Sequence, residues 1–305
     1  MPSIGATLSV NSRYKPSYLP VAIITGGTSG IGEHMAQAIA RHTGGNAHII
    51  IIGRNEAAAN EVLASLPKPS GSSAHPGWKH EFIRCDVELM KNVKATCKAL
   101  CSRLSRVNFL VLSAGYINFK GREDTEEGLD KKMAVRYYAR WAFTKGLLPL
   151  LRNAKDAGEK ASVMTILGAG WSPPIDMDDL AMDKYSGFKA SVHTLTYNDL
   201  MVMEFARREP DIAFTHIYPG VVRTNAFHWS LRLLMVALTP LTWLLIQTPE
   251  NCAEYMFYGL LEGRKGPNFR NEKADDIGFV NYHGSEASQL KLWEHTMKAT
   301  GWEEP

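Results

Sequence analysis

Cysteine is scarce: four Cys in 305 residues cannot make a disulfide framework. Cys97 and Cys101 stand one helical turn apart, but no second Cys or His pair completes a zinc site. They read as buried thiols, and no metal is expected. An excess of one charge is also missing, since 34 basic and 31 acidic side chains leave +3. Nucleic-acid binding asks for a basic face or stripe, so that class is excluded. No continuous apolar run opens the chain; Pro2, Pro16 and Pro20 punctuate residues 1–20. That excludes a secretory signal. Residues 233–246 come nearest to membrane character, but Thr239, Pro240 and Thr242 interrupt them. The stretch falls short of the roughly 18 apolar residues that span a bilayer. A soluble, intracellular, cytoplasmic protein is expected, with weak membrane contact through residues 231–246 as the alternative.

What is present is globular: 45% hydrophobic and 21% charged residues match an ordinary folded chain. Apolar runs at 21–25, 48–52, 82–84, 109–112, 162–167, 212–217 and 277–282 predict strands. Helical spacing predicts helices over 31–42, 55–66, 87–104, 126–151, 182–208, 249–261 and 286–298. Residues 67–79, rich in Pro, Gly and Ser, predict an exposed loop. Strands alternating with helices imply an α/β fold: one doubly wound parallel sheet of about seven strands, with helices on both faces. The expected organisation is an N-terminal extension over 1–19 and one domain over 20–305, carrying an apolar lid at about 225–247.

The turn after the first strand reads Thr25-Gly26-Gly27-Thr28-Ser29-Gly30-Ile31-Gly32. Glycines let the backbone approach a pyrophosphate closely. A helix N-terminus offers free N–H groups and the positive end of a dipole. A glycine run alone is weak evidence, but here it follows a strand and opens a helix.

The spacing Gly26-x-x-x-Gly30-x-Gly32 resembles the short-chain dehydrogenase/reductase family. Further landmarks follow in family order: Asp86 after the third strand, Ser113-Ala114-Gly115 after the fourth, Tyr185-x-x-x-Lys189, and Pro219-Gly220-x-Val222-x-Thr224. The resemblance covers residues 20 to about 262. It implies a Rossmann-type fold and a nicotinamide cofactor. The implied cofactor contacts are Thr25, Gly26, Thr28, Ser29, Gly30, Ile31, Gly32, Asp86, Ser113, Ala114, Gly115, Tyr185, Lys189, Pro219, Gly220, Val222 and Thr224. The phrases Tyr137-Tyr138-Ala139-Arg140 and Pro174-Ile175-Asp176 look most like fungal members, many of them acting in secondary metabolism.

The second strand ends Ile52-Gly53-Arg54. A site selective for NAD wants a carboxylate there. Arg54 can instead pair a 2′-phosphate, so NADP(H) is the expected cofactor, with a solvated surface Arg as the plainer alternative.

Tyr185 and Lys189, four apart on a predicted helix, share one face. An adjacent ammonium favours a phenolate, and such a Tyr can exchange a proton with a carbinol oxygen. The resemblance makes this pair catalytic. Two positions depart from the family. Gly168 stands where the family carries a catalytic Ser; Ser172, thirteen residues before Tyr185, is the nearest downstream hydroxyl and the candidate replacement. Arg136 stands where the family often has Asn. It is either a surface residue or an inward cation for an anionic group or oxyanion. Asp176, Asp178, Asp179 and Asp183 read as a solvated helix-start cluster, or one of them as an acid/base group.

Phe227, Trp229, Leu233, Leu234, Met235, Leu241, Trp243 and Leu244 suit the lining of an apolar pocket, or equally a core helix or dimer contact. The leading expectation is an NADPH-dependent oxidoreductase interconverting a ketone and a secondary alcohol on a hydrophobic small molecule. The alternatives are a non-redox isomerase or cyclase on the same scaffold, and an NADP-binding regulator. A homo-oligomer is the family default.

Overall fold

The computed structural model describes residues 2–116, 121–185, 187–223 and 247–302. Seven strands form one parallel sheet: β1 (Val21–Thr25), β2 (His48–Gly53), β3 (Lys79–Arg84), β4 (Phe109–Leu112), β5 (Ser162–Ile166), β6 (Ala213–Ile217) and β7 (Gly266–Arg270). Their order is β3-β2-β1-β4-β5-β6-β7. The helices are α1 (Ile4–Ser12), α2 (Gly30–His42), α3 (Glu56–Ser65), α4 (Met90–Arg103), α5 (Lys131–Met133), α6 (Ala139–Asp156), α7 (Gly187–Arg208), α8 (Pro249–Leu261) and α9 (Glu286–Ala299). A π-helical segment, Ala134–Tyr138, joins α5 to α6.

All five residues of β1 are buried, because helices cover both faces of a parallel sheet. Alternate side chains enter two separate cores. Ile23, Ile50 and Leu110 join Tyr137, Trp141, Phe205 and Trp293 in one. Ile24, Ile51 and Val111 join Ile39, Met256 and Phe257 in the other.

Several boundaries differ from expectation. The third strand begins at Lys79, which pairs with His48. The helix expected from residue 126 begins at Lys131, because the Asp130 carboxylate accepts from the N–H groups of Lys132 and Met133 and caps it there. The helix expected from residue 182 begins at Gly187; Met182 has φ +61°, outside the right-handed helical region. Residues 277–282 are not a strand, since Asn281 has φ +52° and the chain turns. The seventh strand is instead Gly266–Arg270, parallel to β6.

The N-terminal extension carries a helix that periodicity did not reveal. Ser3 caps α1 through Ala6 N–H, and Asn11 Nδ2 donates to Glu254 of α8 at both the backbone O (2.9 Å) and Oε2 (2.7 Å). The expected lid, with its named apolar residues, lies outside the described residues save Gln247. Among the described residues, no helix is long and apolar enough to cross a membrane.

Candidate active site

The chain leaves β1 toward β2 on one side and returns to β4 on the other. A crevice opens at such a switch point, beyond the C-terminal strand ends. A cavity of about 550 Å3 lies there.

The glycine loop forms one wall. Gly26 (φ +74°) packs so closely on the end of β4 that a Cβ would stand 2.6 Å from Ala114 N. A Cβ on Gly32 would meet Gly26 O at 2.4 Å. Only glycine fits at these two approaches. Ser29 precedes α2, but its hydroxyl makes no capping bond. The first-turn N–H groups of α2 therefore lack a side-chain cap beside a cavity lined by Thr28, Ser29, Gly30 and Ile31. Orphan amides of this kind fit a pyrophosphate. Thr25 and Gly32 shape the loop from behind and do not line the cavity.

At the end of β2, Arg54 lines the cavity with its side chain 60% exposed. Its Nη1 donates to Glu88 Oε1 at 3.0 Å and stands 3.8 Å from Asp86 Oδ1. Glu88 lines the cavity and Asp86 does not. Asp86 Oδ1 accepts from Glu88 N at 3.1 Å, so this carboxylate closes the turn after β3.

Ser113, Ala114 and Gly115 line the centre, together with Tyr116. Burial, helped by the charges of Glu88 and Asp130, pushes the Tyr116 phenol up to about 12. Arg136 turns inward from the π-segment and lines the cavity. Its Nε donates to Thr194 Oγ1 (3.2 Å) and its Nη2 to Ser191 O (3.4 Å). Arg140 is buried behind it. The Arg140 Nη1 donates to Thr165 Oγ1 (2.7 Å) and Ile166 O (3.0 Å), and its Nη2 to Ala114 O (2.8 Å). One guanidinium thus ties β4 to β5.

Gly168 lines the cavity beside Leu195 and brings no hydroxyl. Ser172, the candidate replacement, is not brought beside Gly168 in the cavity wall. Ser172 is buried away from the cavity, and its Oγ donates to Asp199 Oδ2. Asp199 Oδ1 in turn lies 2.5 Å from His216 Nδ1. The hydroxyl is held within a buried Ser172–Asp199–His216 contact.

Tyr185 and Lys189 do not share a helical face. Tyr185 lies before α7, in a turn where its N–H donates to Met182 O at 3.3 Å. The two side chains still meet: Lys189 Nζ stands 4.4 Å from the Tyr185 ring centroid. The His193 ring lies 5.0 Å away on the same tyrosine. Neither Tyr185 nor Lys189 lines the cavity. Asp179 accepts from the N–H groups of Asp183 and Lys184, each at 2.8 Å, so the acidic cluster shapes this turn instead of starting a helix. Pro219 lines the far end, next to Tyr218; Gly220 and Val222 do not. Val222 is buried and bridges to Gln247. Thr224 lies outside the described residues.

Sequence reasoning missed Glu88, Tyr116, Arg140, Leu195 and Tyr218 as cavity residues. Arg140 had a findable signal, standing four residues after Arg136. The others are brought in by the fold.

The family model for short chain dehydrogenases matches residues 20–231. Oxidoreductase AN1596 of Emericella nidulans is 36% identical over 207 residues, covering 68% of this chain and 59% of that protein's length. Oxidoreductase andH of Emericella variicolor is 34% identical over 261 residues, covering 85% of this chain and 74% of that one. Among solved structures, NADPH-bound carbonyl reductase from chicken fatty liver has a TM-score of 0.59 at 19% identity, covering 85% of this chain and 99% of that one. This chain belongs to the short-chain dehydrogenase/reductase family.

Proposed function

We propose that this protein interconverts a ketone and a secondary alcohol on a hydrophobic small molecule, using NADP(H). The observation that carries the reading is one cavity joining uncapped α2 amides, a guanidinium beyond β2 and an apolar end around Leu167 and Leu195. The carbonyl reductase with NADPH bound has the same fold. Bound NADPH would supply the hydride.

The remaining work falls to side chains of this chain. Ser29, Gly30 and Ile31 would hold the pyrophosphate through backbone N–H groups. Arg54, now on Glu88, would pair a 2′-phosphate. Tyr185 passes the proton to or from the carbinol oxygen, with Lys189 beside its ring to offset the negative charge left on the phenol. Reaching the substrate from its position requires Tyr185 to move toward the cavity. Likeness to fungal oxidoreductases supports a place in fungal secondary metabolism. Cytoplasmic residence and a homo-oligomer complete the proposal.

The test incubates purified protein with NADPH and a panel of hydrophobic ketones. Cofactor oxidation and product mass are followed together. Oxidation matched by a product heavier by two hydrogens supports the reading. A product of unchanged mass without cofactor oxidation overturns it in favour of an isomerase or cyclase. That second reading is favoured by Gly168, which lacks a hydroxyl, and by the inward Arg136.

A further inference from the structure

Arg136 and Arg140 stand four residues apart where the π-segment passes into α6. Both are buried. Burial lowers the Arg136 guanidinium to about 10, and burial together with the charge of Arg136 lowers Arg140 to about 9. Among the described residues, neither has a carboxylate partner.

The two are held differently. Arg140 donates three bonds of 2.7 to 3.0 Å, all to neutral oxygens. Arg136 makes two longer bonds, at 3.2 and 3.4 Å, again to neutral oxygens. Its Nη1 has no hydrogen-bond partner among the described residues. Buried charges are costly unless paired. Two adjacent cations without a counter-charge compound that cost. Yet both residues line the cavity, which is where a counter-charge can enter. The π-segment that turns Arg136 inward is itself a rare backbone form, frequent at functional sites.

The pair is not needed for cofactor phosphates. The α2 amides fit the pyrophosphate, and Arg54 would reach the 2′-phosphate from the β2 side of β1. Arg140 bridges β4 and β5, on the opposite side of β1. There it holds Thr165, Ile166 and Ala114, and Gly168 and Leu195 line the same cavity. The walls there are apolar: Val135, Leu167 and Leu195. Desolvating an ion grows steeper with its charge. A monoanion therefore suits these walls better than a phosphate dianion, and a planar carboxylate matches a guanidinium fork.

We infer that Arg136 and Arg140 form a carboxylate subsite, so that the substrate is a hydrophobic ketone, or its alcohol, bearing a carboxylic acid. The inference rests on the reading of this cavity as the place of hydride transfer, but its test is an equilibrium measurement that needs no turnover.

The protein, with NADPH present, is titrated calorimetrically with 2-naphthoate and with the uncharged 2-naphthamide. Wild type should bind the acid roughly ten-fold more tightly than the amide, the size of a charge-assisted contact. Arg136→Gln should abolish the preference, and Arg136→Lys should keep part of it. Equal binding of acid and amide by wild type overturns the subsite, as does a preference unchanged in Arg136→Gln. Inorganic phosphate is the competitor; displacement of naphthoate at comparable concentration overturns the carboxylate assignment in favour of a phosphate. Circular dichroism checks the fold of each variant. Should Arg136→Gln not fold, the wild-type comparison and Arg136→Lys still decide. Failure of the ketone panel would remove the reductase reading and leave this binding result standing.

Discussion

Both Leu195 Cδ atoms lie 3.0 Å from where a Cβ on Gly168 would stand. The position that carries a serine in the family is therefore shaped against one here. Leucine methyls are the far end of a flexible side chain and can yield at a cost. Gly168→Ser should destabilise the protein by about 1 kcal/mol, the low end of overpacking. Combined with Leu195→Ala, the serine should cost less than the single changes sum to, because the two sites touch. Urea unfolding of the double-mutant cycle measures this. Strict additivity would show that Leu195 does not press on residue 168.

Arg54 is already paired when a nucleotide arrives. The Glu88 carboxylate holds its Nη1 at 3.0 Å, so a 2′-phosphate must compete with it. Arg54→Ala should weaken NADPH roughly ten-fold more than NADH, as expected for loss of a charge-assisted bond. Glu88→Gln should tighten NADPH and leave NADH nearly unchanged. Fluorescence titration with both nucleotides reads the difference. Equal losses with the two would remove Arg54 from the 2′-phosphate.

Much of the sheet was legible because the strands are short apolar runs between turns, as at Val21–Thr25 and Phe109–Leu112. The glycine loop was legible for a related reason. Contacts as tight as Gly26 on Ala114 leave glycine as the residue that fits. Other features depend on partners distant in sequence. β7 reads Gly-Pro-Asn-Phe-Arg and carries little strand propensity; pairing with β6 makes it a strand. The α1 helix shows no marked apolar stripe, and its buried Asn11 finds Glu254, 243 residues away. At the site, the spacing of Tyr185 and Lys189 reads as one helical face. The backbone at Met182 and the Asp179 turn break that reading.

Tyr185→Phe is the sharpest test of the proton donor. Loss of a general acid should lower the reductase rate by roughly 10²–10⁴-fold, with NADPH affinity preserved, since Tyr185 does not line the cavity. Steady-state turnover and nucleotide titration on one preparation separate the two effects. An unchanged rate would assign proton transfer elsewhere, with Tyr116 and Tyr218 as phenols that line the cavity.

Acid stability should report how α1 is held to α8. Burial alone would raise the Glu254 carboxyl, but hydrogen bonds from His42, Asn11 and Arg41 outweigh it and hold the group at about 2, below its ordinary 4.5. A carboxyl with a depressed folded value stabilises the fold fully above its unfolded value. That stabilisation fades as pH falls from about 4.5 toward about 2. Its ceiling at neutral pH is about 3 kcal/mol on the linkage scale. Glu254→Gln removes the titration while keeping the shape. The variant should be less stable at neutral pH by up to that amount, and the gap to wild type should close through the same acid window. Urea midpoints of the two proteins across that window measure the gap. A constant gap would mean that Glu254 acts by packing and neutral hydrogen bonds, without a charge-dependent hold on Asn11 and α1.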